Sequence, residues 1–368
     1  MTESVRILTF QNGEVINPSW RYRLNAAVSG VTESYTVEWL IGTDEYAGNP
    51  LTWTSPANIN VTNLNISITC MVIGADGSTV LCSQRITVYV RPTKIVFVTP
   101  TNNEYSTLTV YLDTWQSFVM WDTVSGFAEQ TSQIETYNRA DYSANVRHMT
   151  KYSDRVVSFN LIVQGETESA HNTALNRIIK ACNTEHGADI DYYQSHLEIF
   201  VPELSRRVIL FGYCTAGYPK INRLTLTASQ VQLSFTCPDA RFYLGGNTSV
   251  RNIPDTISVS NPSTSFTNEG DGWGIIANMA VDNGYETVHS SNSSVPDITN
   301  ASGQSIAGCM IQTDWKTGQI KCTWNGTNAW HKVNPDCDVS KFRIAPGAQT
   351  ITGLSYLYYY PTWRSINL

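Results

Sequence analysis

Positive charge is scarce in this chain and nowhere clustered. Charged residues of both signs make up only 15% of its 368 residues, the formal net charge is −7, and no run of Lys or Arg occurs. Nucleic acid is gripped by cations set against phosphates, so tight DNA or RNA binding is disfavoured. An acidic chain that meets DNA would let it slide past rather than hold it. Long apolar runs are missing as well: no stretch approaches the ~20 apolar residues that span a bilayer. Met1–Phe10 has no basic segment followed by an apolar core, so no secretory signal is expected. The product is expected to stay in the cytoplasm where it is made, or to be built into a particle there.

The signatures of common catalytic sites are absent too. There is no Gly-x-x-x-x-Gly-Lys, no Gly-rich turn between a strand and a helix, no His-Glu-x-x-His and no Gly-x-Ser-x-Gly. Eight cysteines (70, 82, 182, 214, 237, 309, 322 and 337) lie far apart without a Cys-x-x-Cys, which argues against zinc because metal sites show close ligand pairs. Cys309 and Cys322 can face each other across the Asp314–Gly318 turn, but in a reducing compartment they are expected to pack as small apolar thiols.

What the chain does have is strand patterning and 42% hydrophobic residues, ample for real cores. Its length fits two or three domains. In residues 1–91, Tyr35, Val37, Trp39 and Ile41 alternate, as do Ile66, Ile68, Cys70 and Val72, and then Ile86, Val88 and Val90. Period-two alternation marks strands with one buried face. With a Trp in the third strand the segment looks like an immunoglobulin-like sandwich, although Cys70 has no partner for the usual inter-sheet disulfide. Pro92, in Arg91-Pro92-Thr93, restricts its own φ and its neighbour's conformation, and a linker is placed there. The N-terminal module is accordingly expected to fold alone and to be dispensable for assembly.

Residues 92–245 are mixed. Val157, Phe159, Leu161 and Val163 form one strand face, which Gly165 ends. Ala170, His171, Ala174, Leu175, Ile178, Ile179 and Cys182 then trace a single apolar helical stripe. Glu166 and Glu168 at its start and Arg177 and Lys180 near its end suit the helix dipole. Strands follow at Leu197–Val201, Arg207–Tyr213, Leu224–Leu226 and Val231–Cys237. In residues 246–368, Ile311, Asp314, Gly318 and Ile320 mark a hairpin. Asn325-Gly-Thr-Asn328 marks a second turn, and Pro346-Gly347 precedes another strand. The fold class is therefore mainly β, built of β-sandwich domains.

The order of these elements resembles the distal tail proteins of long-tailed bacteriophages. The Arg155–Phe159 strand, the helix, the Arg207–Gly212 strand and the closing Leu233-Ser-Phe-Thr-Cys-Pro-Asp239 are similar to the ring-forming domain of that family, with Ala240 where members commonly carry a second proline. The Ile-x-Thr-Asp314 turn, the Asn-Gly-x-Asn328 turn, Pro346-Gly347 and the final Tyr-Tyr-Pro-x-Trp363 resemble its galectin-like C-terminal jelly roll. The resemblance spans about three quarters of the chain and leaves the immunoglobulin-like module as an addition. It implies a structural virion protein of the tail, assembled in the bacterial cytoplasm and not an enzyme, with no cofactor. Six copies would form a ring that joins the tail tube protein to the tip or baseplate hub protein, with DNA only passing through the lumen.

No residue is assigned a catalytic, cofactor or metal role. His171 lies on the helical stripe and reads as a core-edge residue; His148, His186, His196, His289 and His331 are scattered without ligand spacing. Asp314, Asp336 and Asp338 are the nearest candidates for a carboxylate pair, but all three sit at turns, where Asp serves local hydrogen bonds. Trp315, Trp324, Trp330 and Trp363, with Tyr356, Tyr358, Tyr359 and Tyr360, are the one group suited to stacking on a sugar. The alternation of Tyr356, Tyr358 and Tyr360 reads more simply as core or interface filling. A carbohydrate-binding adhesin or lectin that meets a host-surface glycan is the competing reading, and a glycoside hydrolase a weaker third.

Overall fold

A computed structural model describes residues 2–100, 107–128, 132–138, 145–183, 195–245, 254–314 and 318–366; for the strands at 132–138 and 145–152 it describes the backbone alone. The chain is mainly β, with one α-helix among the described residues. Three separate apolar cores follow one another along it.

The first core lies between strands β1 (Ser4–Ile7), β2 (Val15–Ile16), β3 (Arg21–Leu24), β4 (Ala26–Ser29), β5 (Tyr35–Ile41), β6 (Asp44–Ala47), β7 (Leu51–Thr54), β8 (Leu64–Gly74) and β9 (Val80–Val90). One sheet runs β2-β9-β8-β5-β6; the pairs β1-β4 and β3-β7 face it. The expected alternation places Val37, Trp39 and Ile41 opposite Ile68, Cys70 and Val72. Trp39 is fully buried and its indole N–H donates to the Gly48 carbonyl at 2.8 Å, which removes the cost of hiding that polar atom.

The middle module comprises β10 (Ile95–Pro100), β11 (Thr107–Tyr111), β12 (Ser117–Ser125), β13 (Ser132–Asn138), β14 (Asn145–Tyr152), β15 (Arg155–Gln164), α1 (Glu168–Cys182), β16 (His196–Val201), β17 (Arg206–Phe211), β18 (Tyr213–Cys214), β19 (Lys220–Thr225), β20 (Ala228–Cys237) and β21 (Phe242–Gly245). One sheet begins β11-β10-β16-β17-β21. The other runs β12-β15-β20-β18, with β19 also on β20, while β13 and β14 pair as a separate hairpin. Val157, Phe159, Leu161 and Val163 face inward, as their spacing predicts.

Thr167 caps α1, its hydroxyl accepting from the Ala170 N–H at 3.1 Å. Ile178 and Ala181 enter the core, with Ala174, Leu175 and Cys182 packed beside them. His171 is not at the edge, as its place on the stripe suggested, but fully buried, and neither ring nitrogen has a hydrogen-bond partner. The cause is local. A Cβ on Gly165 would fall 2.3 Å from the His171 amide nitrogen, so only glycine lets the first helical turn lie this close to the strand end.

The third core is built from β22 (Ile257–Val259), β23 (Phe266–Asn268), β24 (Ile275–Val281), β25 (Thr287–Ser290), β26 (Ile298–Thr299), β27 (Met310–Thr313), β28 (Ile320–Trp324), β29 (Thr327–Asn328), β30 (Gly347–Gln349), β31 (Ile351–Thr352) and β32 (Leu354–Tyr360). A sheet β22-β32-β24-β27-β28-β29 faces the smaller groups β23-β30 and β26-β25-β31. The β27–β28 hairpin is where its turn residues place it, with Thr313 opposite Ile320. Cys309 and Cys322 meet as free, buried thiols; burial pushes Cys322 up to about 12.

The final strand, β33 (Thr362–Trp363), leaves this sandwich and pairs with β21, and Trp363 and Ile366 join the middle core. Arg155, 2% exposed, ties that return. Its guanidinium donates to the carbonyls of Ala240, Gly126, Ala128 and Arg364 and stacks on Phe242 at 4.6 Å.

Candidate functional site

The middle module presents two surfaces of unusual chemistry. β15 and β20 turn alternate residues outward: Val156, Ser158, Asn160, Ile162 and Gln164 from β15, beside Ala228, Gln230, Gln232 and Thr236 from β20. Neither strand sets a charge on this face, to which β19 (Lys220–Thr225) adds the exposed Lys220 opposite Gln232. Its hydroxyls bond one another: Ser158 to Ser234 at 3.3 Å, and Thr215 to Thr236 at 2.8 Å.

Beside this face runs β19, all six residues of which are exposed. Among the described residues it pairs only with β20, which leaves its outer row of N–H and C=O groups as an edge. Ile221, Leu224 and, just past the strand, Leu226 stand 42%, 52% and 68% exposed. The two cations that would blunt this edge are drawn back. Arg223 pairs with Glu168 at 2.7 Å and donates to the Thr225 and Leu226 carbonyls, and Lys220 lies over the Tyr218 ring. Charge is a usual guard of a sheet edge, and here both cations of the strand are engaged by local partners.

The N-terminal module is clamped to the middle one. Arg91 makes a bidentate pair with Asp113 at 2.7 and 3.1 Å, and Asp113 also accepts from the Lys94 N–H. Arg207, 3% exposed, donates to the Ile59, Asn58 and Thr93 carbonyls. Arg21 pairs with Glu166, and Trp20 packs on Phe118. The sequence breaks at Arg91–Thr93, but Pro92 and Thr93 are buried. The expected linker is therefore an anchored junction, because partners on both sides hold it.

Between the middle and third modules, Ile209, Phe211, Tyr243 and Tyr360 form a small apolar joint. Next to it lies a pocket of roughly 320 Å³ at the end of the third sandwich. Ile276, Met279, Ile311 and Phe342 line its floor, while Asp239, Arg241, Tyr243, Asp314, Ser340 and Arg343 stand around its mouth. Asp239 accepts from the Arg241 amide, Nε and Nη2 and from the Tyr243 hydroxyl. Burial alone would raise this carboxyl, but the hydrogen bonds and charge of Arg241, with Tyr243, hold it below the usual carboxylate range. Asp239, Arg241 and Tyr243 stand two apart where the chain turns from β20 into β21, a spacing visible in the sequence. Arg343 comes from far along the chain, with no local signal linking it to them.

The structure disperses the sequence candidates. Asp338 caps a one-turn helix through the Ser340 N–H and hydroxyl and pairs with Lys341 at 3.0 Å; those bonds hold it low. Asp336 sits in a turn closed by Asn334, so of the three aspartates only Asp314 lines the pocket. His196 is buried 3.5 Å from Glu198, His289 is exposed and meets Asp297 at 2.6 Å, and His331 is exposed. The side chains of His148, His186 and Trp315 lie outside the described residues.

Of the aromatic group, Tyr359 is buried in the third core and Trp363 in the middle one, while Trp324 and Trp330 are 40% and 36% exposed. Lys332 covers one face of Trp324 at 4.5 Å. Tyr356 and Tyr358 share a strand face, as their spacing predicts, and meet edge-to-face at 5.7 Å. That face is the outer one, because Leu357 and Tyr359 take the core side; only Tyr360 is buried, in the joint. Among the described residues no three His, Cys, Asp or Glu converge as metal ligands.

No family model matches the chain, and no curated protein matches it. Among solved structures it is similar to the Dit (gp 19.1) protein of phage SPP1, described as a paradigm of the hub adsorption apparatus in phages infecting Gram-positive bacteria. Identity there is 14%, over 73% of this chain and 98% of that one, with a TM-score of 0.45. The baseplate of phage p2 in its activated conformation with Sr gives 9% identity over 73% of this chain and 97% of that one, TM-score 0.33. A Bacteroides ovatus mixed-linkage glucan utilisation protein, SGBP-B, in complex with a heptasaccharide gives 11% over 97% and 98%, TM-score 0.18. Likenesses this loose do not decide function.

Proposed function

We propose that this chain is a distal tail hub protein of a siphophage-like virus: a homo-oligomeric ring, six copies by resemblance, that joins the tail tube to the tip or baseplate. It is a building part of the virion tail and not an enzyme. The observation that carries this reading is the middle module, a two-sheet body whose edge strand β19 has no partner on its outer side among the described residues and lies beside a face poor in charge. An open edge serves strand addition by another protomer. A face of mostly Ser, Asn, Gln and apolar side chains suits a lumen past which DNA moves, because it offers phosphates few cations to stick to. The domain bounds proposed with it are 1–91, 92–245 and 246–368. In the first of these, a parallel β2 beside β9 and Trp39 in the core support an immunoglobulin-like module.

Electron microscopy of the purified protein, alone and with tail tube protein, tests the proposal. Sixfold rings are expected, and Leu224→Asp on β19 should return them to monomers. Monomers in virions would overturn the reading. The exposed indoles of Trp324 and Trp330 favour a second one, a glycan-binding adhesin. Glycan-array binding that disappears in Trp324→Ala, without rings, would support it over the hub.

A further inference from the structure

The pocket between the middle and third modules has a feature that the hub reading does not use. Its floor is the apolar end of a sandwich core: Ile276, Met279, Ile311 and Phe342 are each at most 5% exposed. Two guanidiniums stand at its mouth. That of Arg241 is engaged, bidentate, by Asp239, which takes the Tyr243 hydroxyl as well. Arg343 is different. Its described hydrogen bond is a long one, Nε to the Ser340 carbonyl at 3.4 Å, which leaves both terminal nitrogens without a described partner at the rim. Burial and then the like charge of Arg241 disfavour its protonated form. Among the described residues Asp239 and Asp314 balance Arg241 and Arg343, so what these offer at the mouth is a directional fork of donors and not a net positive field. A planar fork above an apolar floor is complementary to a planar anion attached to an apolar body.

We propose that this pocket binds a carboxylate carried on an apolar body, with the carboxylate on Arg343 and the body on Ile276, Met279, Ile311 and Phe342. The inference does not depend on the hub reading, and rings or monomers leave it untouched. The same chemistry is presented by a free small carboxylate and by a polypeptide C-terminus that ends in an apolar residue.

Titration calorimetry of the full chain with N-acetylphenylalanine and with its uncharged amide tests the head group. The carboxylate should bind roughly tenfold or more tightly than the amide, the margin of a charge-assisted bidentate contact. Arg343→Gln should erase that difference. Arg343→Lys should erase most of it, because a point charge cannot replace the fork. A free peptide ending in Phe that binds far more tightly than N-acetylphenylalanine identifies a polypeptide end as the ligand; equal affinity identifies the small molecule. Arg343 is exposed, so both variants should fold: Arg343→Lys should melt with the parent, and Arg343→Gln, which removes the like charge beside Arg241, should melt at or above it. Equal binding of acid and amide, no binding of either at millimolar concentration, or full binding by Arg343→Gln would overturn the proposal.

Discussion

Arg207 directs its donors to three main-chain carbonyls that lie on both sides of the first junction. A buried guanidinium is costly unless every contact is made, and once it is in place its removal leaves acceptors unpaired. Arg207→Met should therefore cost about 3 kcal/mol in denaturant unfolding, far above a surface substitution. Asp239 makes a prediction about pH. Its folded-state pKa is depressed, so its contribution to stability is full above the unfolded value of about 4 and fades as pH falls towards the folded one. Asp239→Asn should lower the melting temperature at neutral pH, and the gap from the parent should narrow below about pH 4. A gap that stays constant down to the acid limit would show that the charge on Asp239 is not what holds Arg241 and Tyr243.

At the scale of single elements the sequence was most legible where a period repeats. The β5, β8 and β15 alternations and the β27–β28 turn could be read directly, because inward side chains obey the two-residue pleat. The helical stripe was also legible, but His171 and Ala181 show its limit. Periodicity names a face, while the depth of each residue depends on what packs over it, here a strand end that Gly165 brings close. Ile178→Asp should bury a carboxylate without a partner and destabilise by several kcal/mol, on the order expected for an unpaired buried charge. Arg177 is exposed, yet it donates to the Thr109 carbonyl at 2.7 Å. Arg177→Ala should then cost about 1 kcal/mol, small but measurable, and chemical denaturation of the two variants would separate them. The pocket could not be read this way. Its mouth joins Asp239 and Arg241 to Arg343, a hundred residues further on, and only the packing of two modules brings them together.

For the whole molecule, the first junction changes an expectation. Strand alternation in residues 1–91 and the break at Pro92 suggest a module that can be removed. Yet a chain that starts at Thr93 would strand Asp113 without Arg91 and Arg207 without the Asn58 and Ile59 carbonyls. Such a chain should melt well below the parent or aggregate. Further replacement of Asp113 by Asn and Arg207 by Met should restore part of the loss, which a thermal melt of the two truncated chains would show. The free truncated chain matching the parent would mean that the clamp contributes little.

β33 gives the third sandwich an uncommon mechanical status. The chain enters that sandwich after β21 and comes back to lie beside β21, so the sandwich is spliced into the middle module and not appended to it. A body hung from one peptide can swivel; a body pinned at two neighbouring points cannot turn about either. A pull that reaches the outer sandwich is therefore shared between the chain at β21 and the pairing that holds β33 beside it.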